Sequence, residues 1–219
     1  MPQFVHLADD RKLALIKKDG IKAQKLHDGS KGDRLMTIVI ISDEESMMGG
    51  LSCGPVDVLI SCGDLYDAAI RRAMDRYQPR HTLAVRGNHD PDTPFTDGII
   101  DLHLKTHTIE GVTFGGFKGS WRYKPRGHHL FEQIEVSSLM RAFPPVDVFI
   151  AHNSPAGVHE RDAETHQGFE GFVSYIDRAS PAMFVHGHQH IEAESVRGNT
   201  RIIGVYGERH IHLETSERG

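Results

Sequence analysis

Apolar residues along the chain fall into short runs separated by polar loops, and the runs follow two different periods. Residues 37–41 (Thr-Ile-Val-Ile-Ile) are largely β-branched and apolar on both faces, which predicts a strand buried on both sides. Runs at 56–61, 82–85, 146–151 and 183–185 read the same way. Between them, 66–77 carries Ala69, Ile70, Ala73 and Tyr77 at helical spacing, with Arg71, Arg72 and Asp75 facing out. Residues 133–143, stopped by Pro144 and Pro145, and residues 170–179 are two further predicted helices. A hairpin turning at Glu110-Gly111 is expected over 106–117, and antiparallel strands turning at Gly198-Asn199 over 194–213. Strand, loop and helix in alternation, with hairpins between, predict one α/β domain of mixed parallel and antiparallel strands.

The first 35 residues break this rhythm. A short helix interrupted at Gly20 is expected over 13–25, and 28–34 (DGSKGDR) reads as a polar linker. The expectation is an N-terminal extension over 1–35 and a working domain over 36–215, so that a protein beginning at Met36 stays soluble and active.

Composition narrows the class. Of 219 residues, 38% are hydrophobic and 25% charged, as in soluble globular proteins. The longest apolar run, 35–41 broken only by Thr37, is too short to cross a bilayer. The apolar stretch 13–16, flanked by basic residues, is too short for a secretion signal. Cys53 and Cys62 make no disulfide framework, so a cytoplasmic protein is expected. A net charge of −5 provides no footprint for a stable nucleic-acid complex, and no membrane partner is expected. The outlier is histidine, with 16 residues, which directs attention to metal ions or acid–base chemistry.

Strand after strand ends in a metal-capable residue: Asp43, Asp64, Asn88-His89-Asp90, His152, then His188 with His190. In α/β sheets, ligands bind beyond the carboxyl ends of the strands. Five separate elements therefore bring carboxylates, an amide and imidazoles to one edge. Gly63-Asp64 alone marks only a turn. Gly87-Asn88-His89-Asp90 and Gly187-His188-Gln189-His190 are more specific, and their order along the chain more specific still.

This series resembles the calcineurin-like metallophosphoesterase family, whose pattern is Asp-x-His, Gly-Asp, Gly-Asn-His-Asp/Glu, a lone His after a strand, and Gly-His-x-His. The resemblance runs from about Met36 to Leu213. It implies two mixed β-sheets packed as a sandwich flanked by helices. It also implies two divalent ions, Mn²⁺ first, with Fe, Zn or Mg as alternatives. One ion would lie at Asp43, Asp64 and His190, and a second at Asp64, Asn88, His152 and His188, with Asp64 bridging. His89 would donate to the phosphate or leaving oxygen, and Asp90 would hold its ring. The implied reaction is two-metal hydrolysis of a small phosphomonoester or phosphodiester.

One position departs from the pattern. The first motif reads Ser42-Asp43-Glu44-Glu45, so Glu45 stands where the family has His. Glu45 is expected as an oxygen ligand or as a partner of bound water; the other reading is a degraded site holding one ion well. Arg122, after the 106–117 hairpin, is equally a fork for a substrate phosphate and a surface ion-pair partner. His186 is expected to be packed, and His128, His129, His210 and His212 to be solvated. His159 and His166, in the loop 153–168, can line the cleft and have no assigned role. Two alternatives to the enzyme stand: a metal-binding interaction module with weak or no catalysis, and a nuclease for short oligonucleotides.

Overall fold

The computed structural model of the chain describes residues 34–47, 54–161 and 164–215. The expected helix over 13–25, nearly all of the expected extension, and Cys53 lie outside them. The first strand, β1 (Arg34–Ser42), is followed by a 3-10 turn over Glu45–Met47, then β2 (Val58–Ser61), α1 (Asp67–Tyr77), β3 (His81–Ala84) and β4 (Ile100–Asp101). A hairpin of β5 (Thr106–Ile109) and β6 (Val112–Phe117) leads to the short pair β7 (Ser120–Trp121) and β8 (Leu130–Phe131). Next come α2 (Gln133–Ala142), β9 (Val148–Ala151), a 3-10 turn over Glu164–His166, and α3 (Glu170–Ala179). The chain continues through β10 (Met183–His186), β11 (Ala193–Arg197), β12 (Thr200–Gly204) and β13 (Gly207–Thr215).

Two mixed sheets result, ordered β13-β1-β2-β3-β4 and β11-β12-β10-β9-β6-β5. The alternation within β1 shows how they stack. Met36, Ile38 and Ile40 join Val58, Ile60, Phe114, Val148, Ile150 and Val185 in a core between the sheets. Val39 and Ile41 point the other way, onto Ala69, Ile70, Ala73 and Tyr77 of α1. The second sheet turns Phe149 and Phe184 outward onto Val136 and Met140 of α2 and Phe172 and Tyr175 of α3. The expected sandwich flanked by helices is therefore present, and the apolar-on-both-faces runs are its central strands.

The C-terminal strands depart in part from the simple antiparallel expectation. β11 and β12 do form a hairpin about Gly198-Asn199. However, β12 runs parallel to β10, and β13 crosses to the first sheet, pairing antiparallel with all of β1 from Arg34↔Thr215 to Ser42↔Gly207. Burial decides this: β1 is apolar on both faces and needs a neighbour on each edge, which β2 and β13 supply.

At the end of the first sheet away from the strand tips, Asp57 ties β1 to β2. Its Oδ2 accepts from the Thr37 amide at 2.8 Å and the Thr37 hydroxyl at 3.0 Å, and its Oδ1 pairs with Arg34 at 2.8 Å. Burial pulls the Asp57 carboxyl upward, but Thr37, Arg34 and Arg80 outweigh it and hold it below the usual carboxylate range. Asp57→Ala is expected to cost about 1.5–3 kcal/mol at neutral pH in urea unfolding. Because the folded-state value is depressed, this stabilisation is present above the ordinary carboxylate range and is lost as pH falls through the folded value. The wild-type and variant urea midpoints should converge in acid; a gap independent of pH would contradict the account.

Candidate metal centre

β1, β2 and β3 run parallel, as do β6, β9 and β10. Their carboxyl ends open onto one edge. Asp43 follows β1, Asp64 lies three residues past β2, Asn88 four past β3, His152 directly after β9 and His188 two past β10. Gly187 N–H to the His152 carbonyl at 3.0 Å extends the pairing of β10 with β9, and Gly119 N–H to the Arg86 carbonyl at 2.7 Å joins the two sheets.

Close approach explains two motif glycines. A Cβ on Gly87 would lie 2.0 Å from Asp64 Oδ1 and 2.5 Å from the Asp64 nitrogen. One on Gly187 would lie 2.0 Å from Ser42 Oγ and 2.5 Å from Asp43 Oδ2. Gly87→Ala is therefore expected to cost about 1–3 kcal/mol by overpacking and to displace Asp64. Thermal melting with and without Mn²⁺ checks this: the variant should melt lower and lose the ion-induced rise, whereas a wild-type response would contradict it.

The backbone carries further tension. Asp43, Asp64, His188 and His190 all have positive φ, at 63°, 54°, 63° and 50°. Side chains seldom occupy that region, and such residues cluster where function requires them.

Asp64, His152 and His188 bring one ligand atom each within 4.8 Å of one another. His152 is fully buried, and its Nδ1 bonds the Cys62 carbonyl at 2.9 Å. That bond fixes the ring so that Nε2 faces Asn88 Oδ1 at 3.0 Å and Asp64 Oδ2 at 3.4 Å. Three electron-pair donors thus converge on one point, and only a proton or a cation can reconcile them. In the ion-free chain a proton serves: burial disfavours the charged ring, but Asp64 outweighs burial and pushes His152 up to about 9. Burial likewise opposes ionisation of Asp64, yet His152 and the His89 amide hold its carboxyl well below the usual range. The donor set, one carboxylate, one amide oxygen and imidazoles oriented by their second nitrogen, fits a divalent ion. His188 is oriented in the same way, its Nε2 bonding the Thr165 carbonyl at 2.9 Å.

Beside this group stands the pair Asp43 and His190. The Asp43 carboxylate is buried, accepts the His188 amide at 3.0 Å and the Ser42 hydroxyl at 2.6 Å, and stands 3.5 Å from His190 Nε2. His190 packs on Tyr206, whose hydroxyl reaches Glu44 Oε2 at 3.4 Å.

His89 is exposed, and its amide donates to Asp64 Oδ1 at 2.8 Å. Asp90 is buried with Oδ2 accepting from the amides of Gly87 at 2.7 Å and Asp64 at 2.9 Å, so it fastens the loop rather than bonding the His89 ring. Burial, with Asp64 nearby, raises its carboxyl to about 6 despite those amides. Glu45, in the 3-10 turn, takes a fork from Arg72, with Arg72 Nε at 2.7 Å. Arg122 is tied to Glu132 at 3.0 Å and to the Leu130 carbonyl at 2.6 Å. His186 is packed as expected. His129 is buried instead of solvated, its Nε2 3.3 Å from the Pro91 carbonyl, and His159 bonds His186 at 2.9 Å.

Several neighbours of the centre carry no motif. The Tyr123 hydroxyl accepts from Asn88 Nδ2 at 3.4 Å, one residue along from the expected Arg122. The ring of His166 lies beside those of His188 and His190. Tyr123 belongs to the polar turn of the expected Arg122, and His166 to the loop 153–168 expected to be able to line the cleft, though the sequence assigns neither a role.

Fold and site together define an α/β sandwich with clustered metal-capable donors at its strand tips. The chain belongs to the calcineurin-like phosphoesterase superfamily, whose domain model matches residues 36–209. No curated protein matches it by sequence. Among solved structures, it is similar to the phosphopantetheinyl hydrolase PptH of Mycobacterium tuberculosis, with 16% identity, a TM-score of 0.52, and coverage of 81% of this chain and 91% of that one. It is also similar to the protein TT1561 of Thermus thermophilus, with 14% identity, a TM-score of 0.52, and coverage of 80% and 90%. At such identities the likeness concerns the fold alone. Among the described residues, no helix is long and apolar enough to cross a membrane.

Proposed function

We propose that this chain is a cytoplasmic, metal-dependent phosphoesterase acting on a small phosphomonoester or phosphodiester, with two divalent ions, Mn²⁺ foremost. The observation that carries this is the convergence of His152 Nε2, Asn88 Oδ1 and Asp64 Oδ2, with the other nitrogen of His152 committed to Cys62. Asn88, His152, His188 and Asp64 would hold one ion; Asp43, His190 and Asp64 the other. When bound, such a pair supplies Lewis acidity and a water nucleophile at neutral pH.

The chain's own groups do the rest. Asp64 stays ionised under the influence of His152 and the His89 amide, so its two oxygens can serve both positions. Asp90 pins the Gly87 turn onto Asp64 and thereby sets where Asn88 and His89 stand. The exposed His89 ring donates a proton to the leaving-group oxygen. Tyr123, already at Asn88, offers its hydroxyl to the substrate's phosphate, while Arg122 would first have to leave Glu132.

The test is hydrolysis of paired chromogenic monoester and diester substrates by metal-stripped protein resupplied from an ion series. Turnover restored by Mn²⁺ supports the reading, and the preferred substrate sorts phosphatase from phosphodiesterase. A folded protein inert with every ion overturns it in favour of an interaction module.

A further inference from the structure

We propose that His166 is a ligand of the ion held by Asp43 and His190, supplying the imidazole that the Asp43-Glu44-Glu45 segment does not. This rests on the two-ion reading above.

The loop before α3 is laid onto the Gly187–His190 turn and onto Asn153 by three successive carbonyls. Those of Thr165, His166 and Gln167 accept from His188 Nε2 at 2.9 Å, Gln189 Nε2 at 2.8 Å and Asn153 Nδ2 at 2.9 Å. So fastened, the His166 ring centre stands 5.1 Å from that of His188 and 5.8 Å from that of His190. Two imidazoles on one ion, at metal–nitrogen distances near 2.1 Å, have ring centres about 4.5–6 Å apart. His166 Nδ1 is taken by the Thr165 hydroxyl at 3.1 Å, the second partner that orients ligating histidines. Among the described residues, nothing hydrogen-bonds its Nε2.

The acids nearby are otherwise engaged. Glu45 is held by Arg72. Glu44 accepts from the Ser46 amide at 2.9 Å and reaches the Tyr206 hydroxyl. Asp43 and His190, with a shared Asp64, would give that ion three protein donors; His166 would add a fourth, and an octahedral ion such as Mn²⁺ keeps positions open for water and substrate beside it.

The experiment is calorimetric titration of metal-stripped full-length protein with Mn²⁺, for wild type, His166→Ala, Glu45→Gln and Glu44→Gln. Wild type should take up two ions. His166→Ala should weaken one of them about 100-fold or more and leave the other unchanged, which also certifies its fold; both glutamine variants should keep two. His166→Cys, titrated with Cd²⁺, should gain a thiolate-to-metal charge-transfer band that wild type lacks. Two unchanged affinities in His166→Ala, or loss of an ion in Glu45→Gln or Glu44→Gln, overturns the proposal and leaves the two-ion reading standing. No uptake by wild type overturns both.

Discussion

Asp64→Ala is expected to abolish uptake of at least one ion and to lower hydrolysis by about 10³-fold or more. The carboxylate works on two sides: Oδ1 accepts the His89 amide at 2.8 Å, and Oδ2 faces His152 Nε2 at 3.4 Å. Removing it takes away the shared donor and the charge that holds His152 in place. It also leaves the Gly87 turn without the surface against which it packs. Asp64→Asn separates these effects, because the amide keeps the shape and loses the charge. It should melt close to wild type and still fail to turn over. Metal titration and initial rates on both variants check this; near-normal turnover in either would refute the bridging role.

His89→Ala is expected to keep both ions and slow hydrolysis by about 10²–10⁴-fold. The separation follows from which atom does what. The amide of His89 holds Asp64, and alanine retains an amide; the ring is exposed and bonds no ligand among the described residues. Truncation should therefore remove a proton donor from the mouth of the site and leave its floor intact. The slowing should be larger for a substrate with a poor leaving group than for a nitrophenyl ester, whose leaving oxygen needs little help. Loss of an ion on truncation would mean that the ring is a ligand and that the set has been misassigned.

Much of this centre is legible in the sequence because it depends on local patterns. The buried runs ending at Ser42, Ser61, Ala84, Ala151 and His186 are strands of short period, and parallel connectivity brings their ends to one edge. Asp43, Asp64, Asn88, His152, His188 and His190 therefore come together as their order suggests. What depends on loop paths is not legible in this way. His166 reaches the site only because side chains of Asn153, His188 and Gln189 bind three carbonyls of its loop. Asp90 and Arg122 are chemically suited to several partners, and tertiary packing gave them loop amides and Glu132. The crossing of β13 to the first sheet is a question of which edge is left open, which no single segment encodes.

Both proposed ions share Asp64. Crystals of the full-length protein soaked in Mn²⁺ and measured at the manganese absorption edge test this most directly. The account predicts two anomalous peaks about 3.5–4 Å apart, both in contact with Asp64, one among Asn88, His152 and His188 and the other beside Asp43 and His190. A single peak, or none within reach of Asp64, would contradict it.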